Sequence, residues 1–229
     1  MYLKILLGFF YNLDKNNFFL YNFNNYKYFY NDFFLVTKYV LAPRYDSEIC
    51  LDISKNFFSV FFLNRILDLG AGSGILGFSL FRFNNKLNLL TVDCDYNILI
   101  NININAFKFN FYNFTIKYSN WFKDIEKKNK YNLIISNPPY LSIKDVYFFY
   151  ENNKFEPIFS LVSENKGLEN LFSIIKLSNF YLLYNSFILL EHGYDQSKKI
   201  RLALKISGYI NIFTYKDFSG LDRITCGEK

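Results

Sequence analysis

Proline, histidine, cysteine and tryptophan are scarce in this chain, and each scarcity excludes something. Four prolines and ten glycines in 229 residues leave no proline-rich linker, so the length fits one α/β domain, or one domain with a short appendage. His192 is the only histidine, which excludes a histidine-built metal site and a Ser–His or Cys–His nucleophile elsewhere in the chain. The three cysteines, Cys50, Cys94 and Cys226, are scattered and never in C-x-x-C spacing. That excludes a disulfide scaffold and a cysteine zinc site, and it fits a reducing, cytoplasmic setting with no metal expected. No apolar run reaches the roughly 18 residues of a membrane-spanning helix. Met1–Leu13 carries Lys4 and an apolar run but no small-residue cleavage site, so it reads as folded N-terminus rather than signal peptide. Alanine occurs only at Ala42, Ala71, Ala106 and Ala203, and only five arginines are present.

What replaces them is Phe, Tyr, Asn, Ile and Lys, all with A- and T-rich codons. This reads as drift in an AT-rich genome, such as that of an organelle or a reduced endosymbiont. The drift weakens two familiar inferences. Aromatic residues make up 22% of the chain, so aromatics beside basic residues are background rather than base-stacking surfaces. The net charge of +6 partly reflects lysine codons, although a basic surface still attracts acidic partners. Glycine, proline, arginine, aspartate and tryptophan resist the drift and are the residues to follow. With 51% hydrophobic and 20% charged residues, the chain has enough apolar material for a sizeable core.

Apolar runs at Arg65–Leu69, Leu87–Asp93, Tyr131–Ser136 and Phe187–Gly193, with a short strand near Thr115–Tyr118, read as strands. Helices are expected over Asp46–Ser59, Ile75–Phe83, Asn97–Lys108 and Asp195–Ser207, and Gly167–Leu183 has helical spacing throughout. Strand alternating with helix, and strands apolar on both faces, predict a parallel sheet covered on both sides. Tyr209–Tyr215 and Leu221–Gly227 follow each other without a helix and predict an antiparallel edge hairpin.

Two constellations carry chemistry. Asp68-Leu69-Gly70-Ala71-Gly72-Ser73-Gly74 lies between a strand and a helix, where glycines let the backbone approach a ligand. Asp93 ends the next strand, placed to accept from ribose hydroxyls. The spacing is not the dinucleotide G-x-G-x-x-G. A carboxylate at Asp68 would repel a pyrophosphate but suits the sulfonium or amino group of S-adenosylmethionine. Trp121, the only tryptophan, follows the third strand, whose end could face the adenine. The second constellation is Asn137-Pro138-Pro139-Tyr140 after the Tyr131–Ser136 strand. The prolines fix the backbone and remove two donors, which turns carbonyls outward as acceptors. Asn137 adds a side-chain acceptor and Tyr140 an aromatic face. Two acceptors and a ring can hold a planar –NH2 group with its lone pair perpendicular to the plane, aimed at an electrophile.

With these residues in hand, the chain resembles the peptide chain release factor N5-glutamine methyltransferases (the HemK/PrmC family) over about residues 28–229. The shared parts come in family order: APRYDSE, ILDLGAGSG, TVDCD, SNWF, NLIISNPPY, FEP at Phe155–Pro157, GL at Gly167–Leu168, FILLEHG with Gln196, and DRITCG. NPPY alone is shared by several amino-methyltransferases. The PR-x-D-[ST]-E element and the EHG and D-R elements are more specific. The resemblance implies an α/β, Rossmann-like class I methyltransferase with a mostly parallel seven-stranded sheet and an antiparallel edge hairpin. It implies S-adenosyl-L-methionine as donor and the glutamine of the Gly-Gly-Gln loop of class I release factors as acceptor. By position it implies cofactor contacts from Asp68, Leu69, Gly70, Ala71, Gly72, Asp93, Trp121 and Asn137, and a substrate clamp of Asn137, Pro138, Pro139 and Tyr140. Asn120 stands where the family usually has an acid before the tryptophan. About 40 residues precede Pro43, so the family's helical N-terminal domain is expected in reduced form. Residues 1–42 are read as that segment plus a linking hairpin at about Tyr28–Val40, and residues 43–229 as the catalytic domain. A monomer is expected, acting on protein rather than directly on nucleic acid.

Four further groups have weaker readings. Arg44, Asp46 and Glu48 suit substrate-side or cofactor-side roles, with helix capping by Asp46 the plainer one. Glu191-His192 reads as a buried, satisfied pair, and Arg223 as structural. Three other functions stay open from the residues: methylation of a glutamine in a large-subunit ribosomal protein, adenine-N6 methylation of nucleic acid with base flipping, and a non-catalytic cofactor-binding module.

Overall fold

The structure is a computed structural model, and it describes residues 25–61, 63–84, 86–109, 113–146 and 157–229. The N-terminal reading of Met1–Leu13 and the residues Phe155 and Glu156 of the FEP element lie outside the described residues. A hairpin of β1 (Tyr26–Phe29) and β2 (Asp32–Leu35) comes first. Then follow α1 (Glu48–Val60), β3 (Arg65–Leu69), α2 (Ile75–Phe83), β4 (Asn88–Asp93), α3 (Tyr96–Lys108), β5 (Phe114–Tyr118) and β6 (Tyr131–Ser136). The chain closes with α4 (Glu169–Ser178), β7 (Leu182–Glu191), α5 (Ser197–Ile206), β8 (Ile210–Lys216) and β9 (Asp222–Glu228).

Seven strands form one sheet in the order β5-β4-β3-β6-β7-β9-β8. The first five are parallel, and β9 runs antiparallel to both β7 and β8. The alternation of side chains along each strand explains the apolar runs. Ile66, Leu133, Ile135, Phe187 and Leu189 point to a core shared with α1, α2, α3 and the hairpin. Leu67, Leu69, Ile134, Ile188 and Leu190 point to the opposite core, under α4 and α5.

Two expectations are corrected. The helical spacing of Gly167–Leu183 does not run through: α4 stops at Ser178, and Leu182 already begins β7. The apolar YLL continues the helical pattern by coincidence: Tyr181 is buried just before the strand, Leu182 is its buried first residue, and Leu183 is exposed. The helix expected from Asp46 begins instead as a 3-10 turn at Tyr45–Ser47, with α1 starting at Glu48, so Asp46 does not cap it.

The β1–β2 hairpin is fastened to the sheet domain by two asparagines one helical turn apart on α3. Asn105 accepts from the Leu35 N–H (2.8 Å) and donates to the Leu35 carbonyl (3.0 Å) and the Ser73 carbonyl (2.8 Å). Asn101 accepts from the Thr37 N–H (3.0 Å) and donates to the Leu35 carbonyl (3.0 Å). Both side chains are fully buried, and Phe29, Phe34 and Leu35 sink into the core beside them. The same asparagine therefore touches the hairpin and the glycine turn.

Candidate functional site

β3, β4 and β6 end side by side, and the glycine turn and Asn137–Tyr140 emerge from those ends, where ligands of open α/β sheets bind. Gly70 has a left-handed φ of +65°, and a Cβ there would lie 3.0 Å from the Trp121 ring. The tryptophan thus rests directly on the turn, and any larger residue would push it off. A cleft opens beside the turn. Asp68, Gly70, Ala71, Gly72 and Ser73 line one wall, Leu41–Arg44 and Ser47 another, and Asn137 faces them.

Asp68 is fully buried and its Oδ2 accepts from the Gly77 N–H at 3.0 Å. Burial pushes its carboxyl up to about 7, against the pull of the Gly77 hydrogen bond, and the nearby Asp93 charge adds to the rise. Asp93 reaches back under the turn. Its Oδ2 accepts from Gly72 (3.1 Å), and its Oδ1 from Cys94 (2.7 Å) and Asp95 (3.3 Å). Burial raises its pKa and these three N–H groups oppose the rise. Asp93 therefore shapes the turn, with one Oδ2 lone pair left for a ligand hydroxyl. Leu69 is different: its side chain belongs to the core under α4 and α5, and it borders the turn through its backbone, whose carbonyl accepts from Ser136 Oγ at 2.7 Å.

Asn137–Tyr140 is held from three directions. Asn137 Nδ2 donates to Ser47 Oγ at 3.2 Å, while no donor among the described residues reaches Asn137 Oδ1 or the Pro138 carbonyl. The Pro139 carbonyl accepts from Asn170 Nδ2 (3.4 Å), and the Tyr140 carbonyl from Gln196 Nε2 (2.9 Å). Of the carbonyls that the two prolines were expected to turn outward, two are thus committed to the scaffold. A side-chain acceptor and the Pro138 carbonyl stay open. Tyr140 Oη donates to Glu191 Oε1 at 3.1 Å, which fixes the ring, and burial raises its pKa.

Glu191 is buried and satisfied as its sequence reading has it, but its partners were not foreseen. It also accepts from Ser47 Oγ, 144 positions away, at 2.5 Å, so it ties the PRYDSE element to the NPPY loop. His192 fits its reading: Nε2 meets Thr225 Oγ1 (2.7 Å), Nδ1 the Gly193 carbonyl (2.9 Å), and burial lowers its pKa. Arg223 does more than hold the edge hairpin. It pairs with Asp217 (3.0 Å), reaches Asp46 (3.6 Å) and bears on both Glu191 and Tyr140. Glu48 turns away from the cleft and accepts the Tyr30 N–H at 3.0 Å. Gly167 explains the GL element: at φ +81°, a Cβ there would stand 2.0 Å from the Tyr140 carbonyl oxygen. The EHG, GL and D-R elements were the signals. The contacts that give them meaning lie between segments far apart in the chain.

The Methyltransferase small domain family matches residues 51–152. A release factor glutamine methyltransferase of Buchnera aphidicola subsp. Acyrthosiphon pisum is 39% identical over 194 residues, covering 82% of this chain and 67% of that protein. One of Aliivibrio fischeri is 31% identical, covering 84% and 68%. Among solved structures, a ribosomal protein L11 methylase of Lactobacillus delbrueckii subsp. bulgaricus aligns with a TM-score of 0.62 at 16% identity, over 90% of this chain and 91% of that one. The N-terminal domain of human METTL16 in complex with SAH aligns with a TM-score of 0.61 at 12% identity, over 82% and 72%. At such identities these two likenesses speak for the fold.

Proposed function

The chain belongs to the release factor glutamine methyltransferases, and from that premise we propose the reaction in full. It transfers a methyl group from S-adenosyl-L-methionine to the side-chain amide nitrogen (N5) of the glutamine in the Gly-Gly-Gln motif of class I peptide chain release factors, in the cytoplasm. Residues 43–229 carry the chemistry, and the hairpin is fastened to them by Asn101 and Asn105. The observation that carries the reading is Asn137, which lines a cleft whose other wall is the glycine turn and whose Oδ1, like the Pro138 carbonyl next to it in the chain, meets no donor among the described residues.

The residues present fit the donor. Ser73 lines the cleft with a buried Oγ that has no partner among the described residues, Asp68 offers a carboxylate to a cation, and Gly70 and Gly72 border the cleft at left-handed φ, where bare backbone can approach a ligand. When bound, S-adenosylmethionine supplies an electrophilic methyl carbon. Asp68, Leu69, Gly70, Ala71 and Gly72 would hold it along the turn, with Asp93 toward its ribose hydroxyls and Trp121 beside its base. Asn137 Oδ1 and the Pro138 carbonyl accept the two hydrogens of the glutamine amide, and the Tyr140 ring packs on the amide plane. The nitrogen lone pair then stands perpendicular to that plane. As the nitrogen gains positive charge, both acceptor dipoles already face it, so their stabilisation is greatest in the transition state. Glu191 is no general base here, because both its oxygens are taken by hydroxyls. Catalysis is positioning and electrostatics.

The test is mass spectrometry of class I release factors and ribosomal proteins incubated with the pure protein and isotope-labelled S-adenosylmethionine. The label is expected on the Gly-Gly-Gln glutamine. Asn137→Ala should bind S-adenosylhomocysteine like the parent yet transfer roughly a hundredfold more slowly, the scale of one preorganised dipole. Label on a ribosomal protein or on adenine, or an Asn137→Ala variant of undiminished single-turnover rate, would overturn the reading.

A further inference from the structure

An asparagine amide is nearly symmetric in shape, so packing alone does not decide which end faces the cleft. The clamp depends on that choice. With Oδ1 inward, Asn137 accepts from an incoming –NH2; with Nδ2 inward, donor meets donor. A hydroxyl beside it does not settle the matter, because Ser47 Oγ can accept from Nδ2 or donate to Oδ1. The decision is made one bond further on. In its ionised form, which two hydroxyl donors and the Arg223 charge favour, Glu191 offers only acceptors, and Ser47 has a single proton, which goes to Glu191 Oε2 at 2.5 Å. Ser47 Oγ is then left as an acceptor toward Asn137, and Nδ2 takes it at 3.2 Å. The other Glu191 oxygen accepts from Tyr140 Oη at 3.1 Å, so one carboxylate orients both side-chain members of the clamp. Ser47, Glu191 and the Ser136 behind the loop are all buried.

We propose that Ser47 and Glu191 are positioning residues that set the polarity of the amide clamp: Glu191 polarises Ser47, and Ser47 fixes Asn137 with its carbonyl toward the substrate amide. This rests on the function proposed above and assigns work to residues that act through Asn137 and Tyr140. Glu191 acts through the two hydroxyls, and Arg223 and Asp46 set the charge around it, with Arg223 held by Asp217. Glu191→Gln replaces one acceptor by an –NH2 donor. If that donor faces Ser47, the serine proton swings to Asn137 and the clamp inverts.

The first readout needs no turnover and uses the parent protein. In a nitrogen-15 spectrum, the Asn137 side-chain amide, assigned by its loss in Asn137→Ala, should show one proton slowed in exchange by its bond to Ser47. That protection should vanish in Ser47→Ala and persist in Ser47→Thr. In steady state, Ser47→Ala should lower kcat by roughly ten- to a hundredfold, the range expected for a hydrogen bond polarised by a charged group. The KM for the release factor and the affinity for S-adenosylhomocysteine should hold, and Ser47→Thr should restore the rate. A merely structural serine would change unfolding and KM with kcat and would leave the amide signal alone. If the parent's Asn137 amide exchanges as freely as a surface asparagine, or if Ser47→Ala turns over at the parent rate while Asn137→Ala does not, the relay is refuted and the clamp stands. If Asn137→Ala is also fully active, the reading of the clamp itself falls.

Discussion

Asp68 allows a test in which two pH trends must oppose each other. Its carboxyl ends β3 fully buried, and burial lifts its pKa from the ordinary 3.8 to about 7. In the ligand-free protein the folded state therefore holds this proton more tightly than the unfolded chain does. Stability contributed by the protonated form is complete in acid and is lost as pH rises from the ordinary carboxylate range through about 7. The slope is about 1.4 kcal/mol per pH unit while it lasts, and a few kcal/mol in all. A cationic ligand beside the carboxylate reverses the preference. Binding favours the ionised form, so it releases a proton and strengthens as pH rises through the same window. If only the ionised protein binds well, affinity one unit below the pKa should be roughly tenfold weaker than well above it.

The assay is calorimetric titration with S-adenosylmethionine between about pH 5.5 and 7.5, with the ligand's own amino group, which begins to titrate toward the top of that range, measured separately and subtracted. Repeating it in buffers of different ionisation enthalpy counts the protons released. Thermal unfolding of the ligand-free protein over the same range gives the opposing trend. Asp68→Asn keeps an acceptor for the Gly77 N–H and removes the titration, so affinity should become flat with pH and weak throughout. An affinity independent of pH in the parent, or a slope that survives in Asp68→Asn, would refute the reasoning.

Two further outcomes are expected from the scaffold. In Gly167→Ala the new Cβ would stand 2.0 Å from the Tyr140 carbonyl and 2.8 Å from Gln196 Nε2, at φ +81°; a loop shift of the order of 1 Å should cost roughly a hundredfold in kcat, read by single-turnover methylation. Asn105→Ala strands the Leu35 N–H and the Ser73 carbonyl and leaves the Leu35 carbonyl to Asn101 alone, so chemical denaturation should show a loss of about 2 kcal/mol or more, with faster hydrogen exchange at residues 35 and 72–74.

The sheet was legible because burial on both faces leaves strands as plain apolar runs. Tyr131–Ser136 is the strand its sequence announces, and so are β3 and the edge hairpin. The glycine turn and NPPY were legible because few other residues do what glycine and proline do to a backbone. Asn101 and Asn105 were not. In a chain so rich in asparagine they look like codon drift, and only the contacts with Leu35, Thr37 and Ser73 reveal two buried clamps. The link between Ser47 and Glu191 was hidden for a different reason: Glu191 reads as buried, but a hydroxyl and an acid 144 positions apart carry no local pattern, and their pairing appears when β7 packs beside β6 and the turn before α1 closes over both.

That closure also accounts for the order of the chain's short motifs. Ser47 comes from PRYDSE, Asn137 and Tyr140 from NPPY, Glu191 from EHG and Arg223 from D-R, and all meet around one buried carboxylate. Burying Glu191 raises its pKa, and two hydroxyl donors and the Arg223 charge work against that rise. Arg223 is itself largely buried and is held by Asp217, which is buried too. Removing Ser47, Tyr140 or Arg223 would leave the desolvated Glu191 carboxylate with one supporting group fewer. The aromatic and asparagine-rich background can therefore vary around this centre far more freely than the centre can vary itself. The five residues act as one unit, and their substitutions should be non-additive: Ser47→Ala combined with Glu191→Gln should cost less than the sum of the two alone.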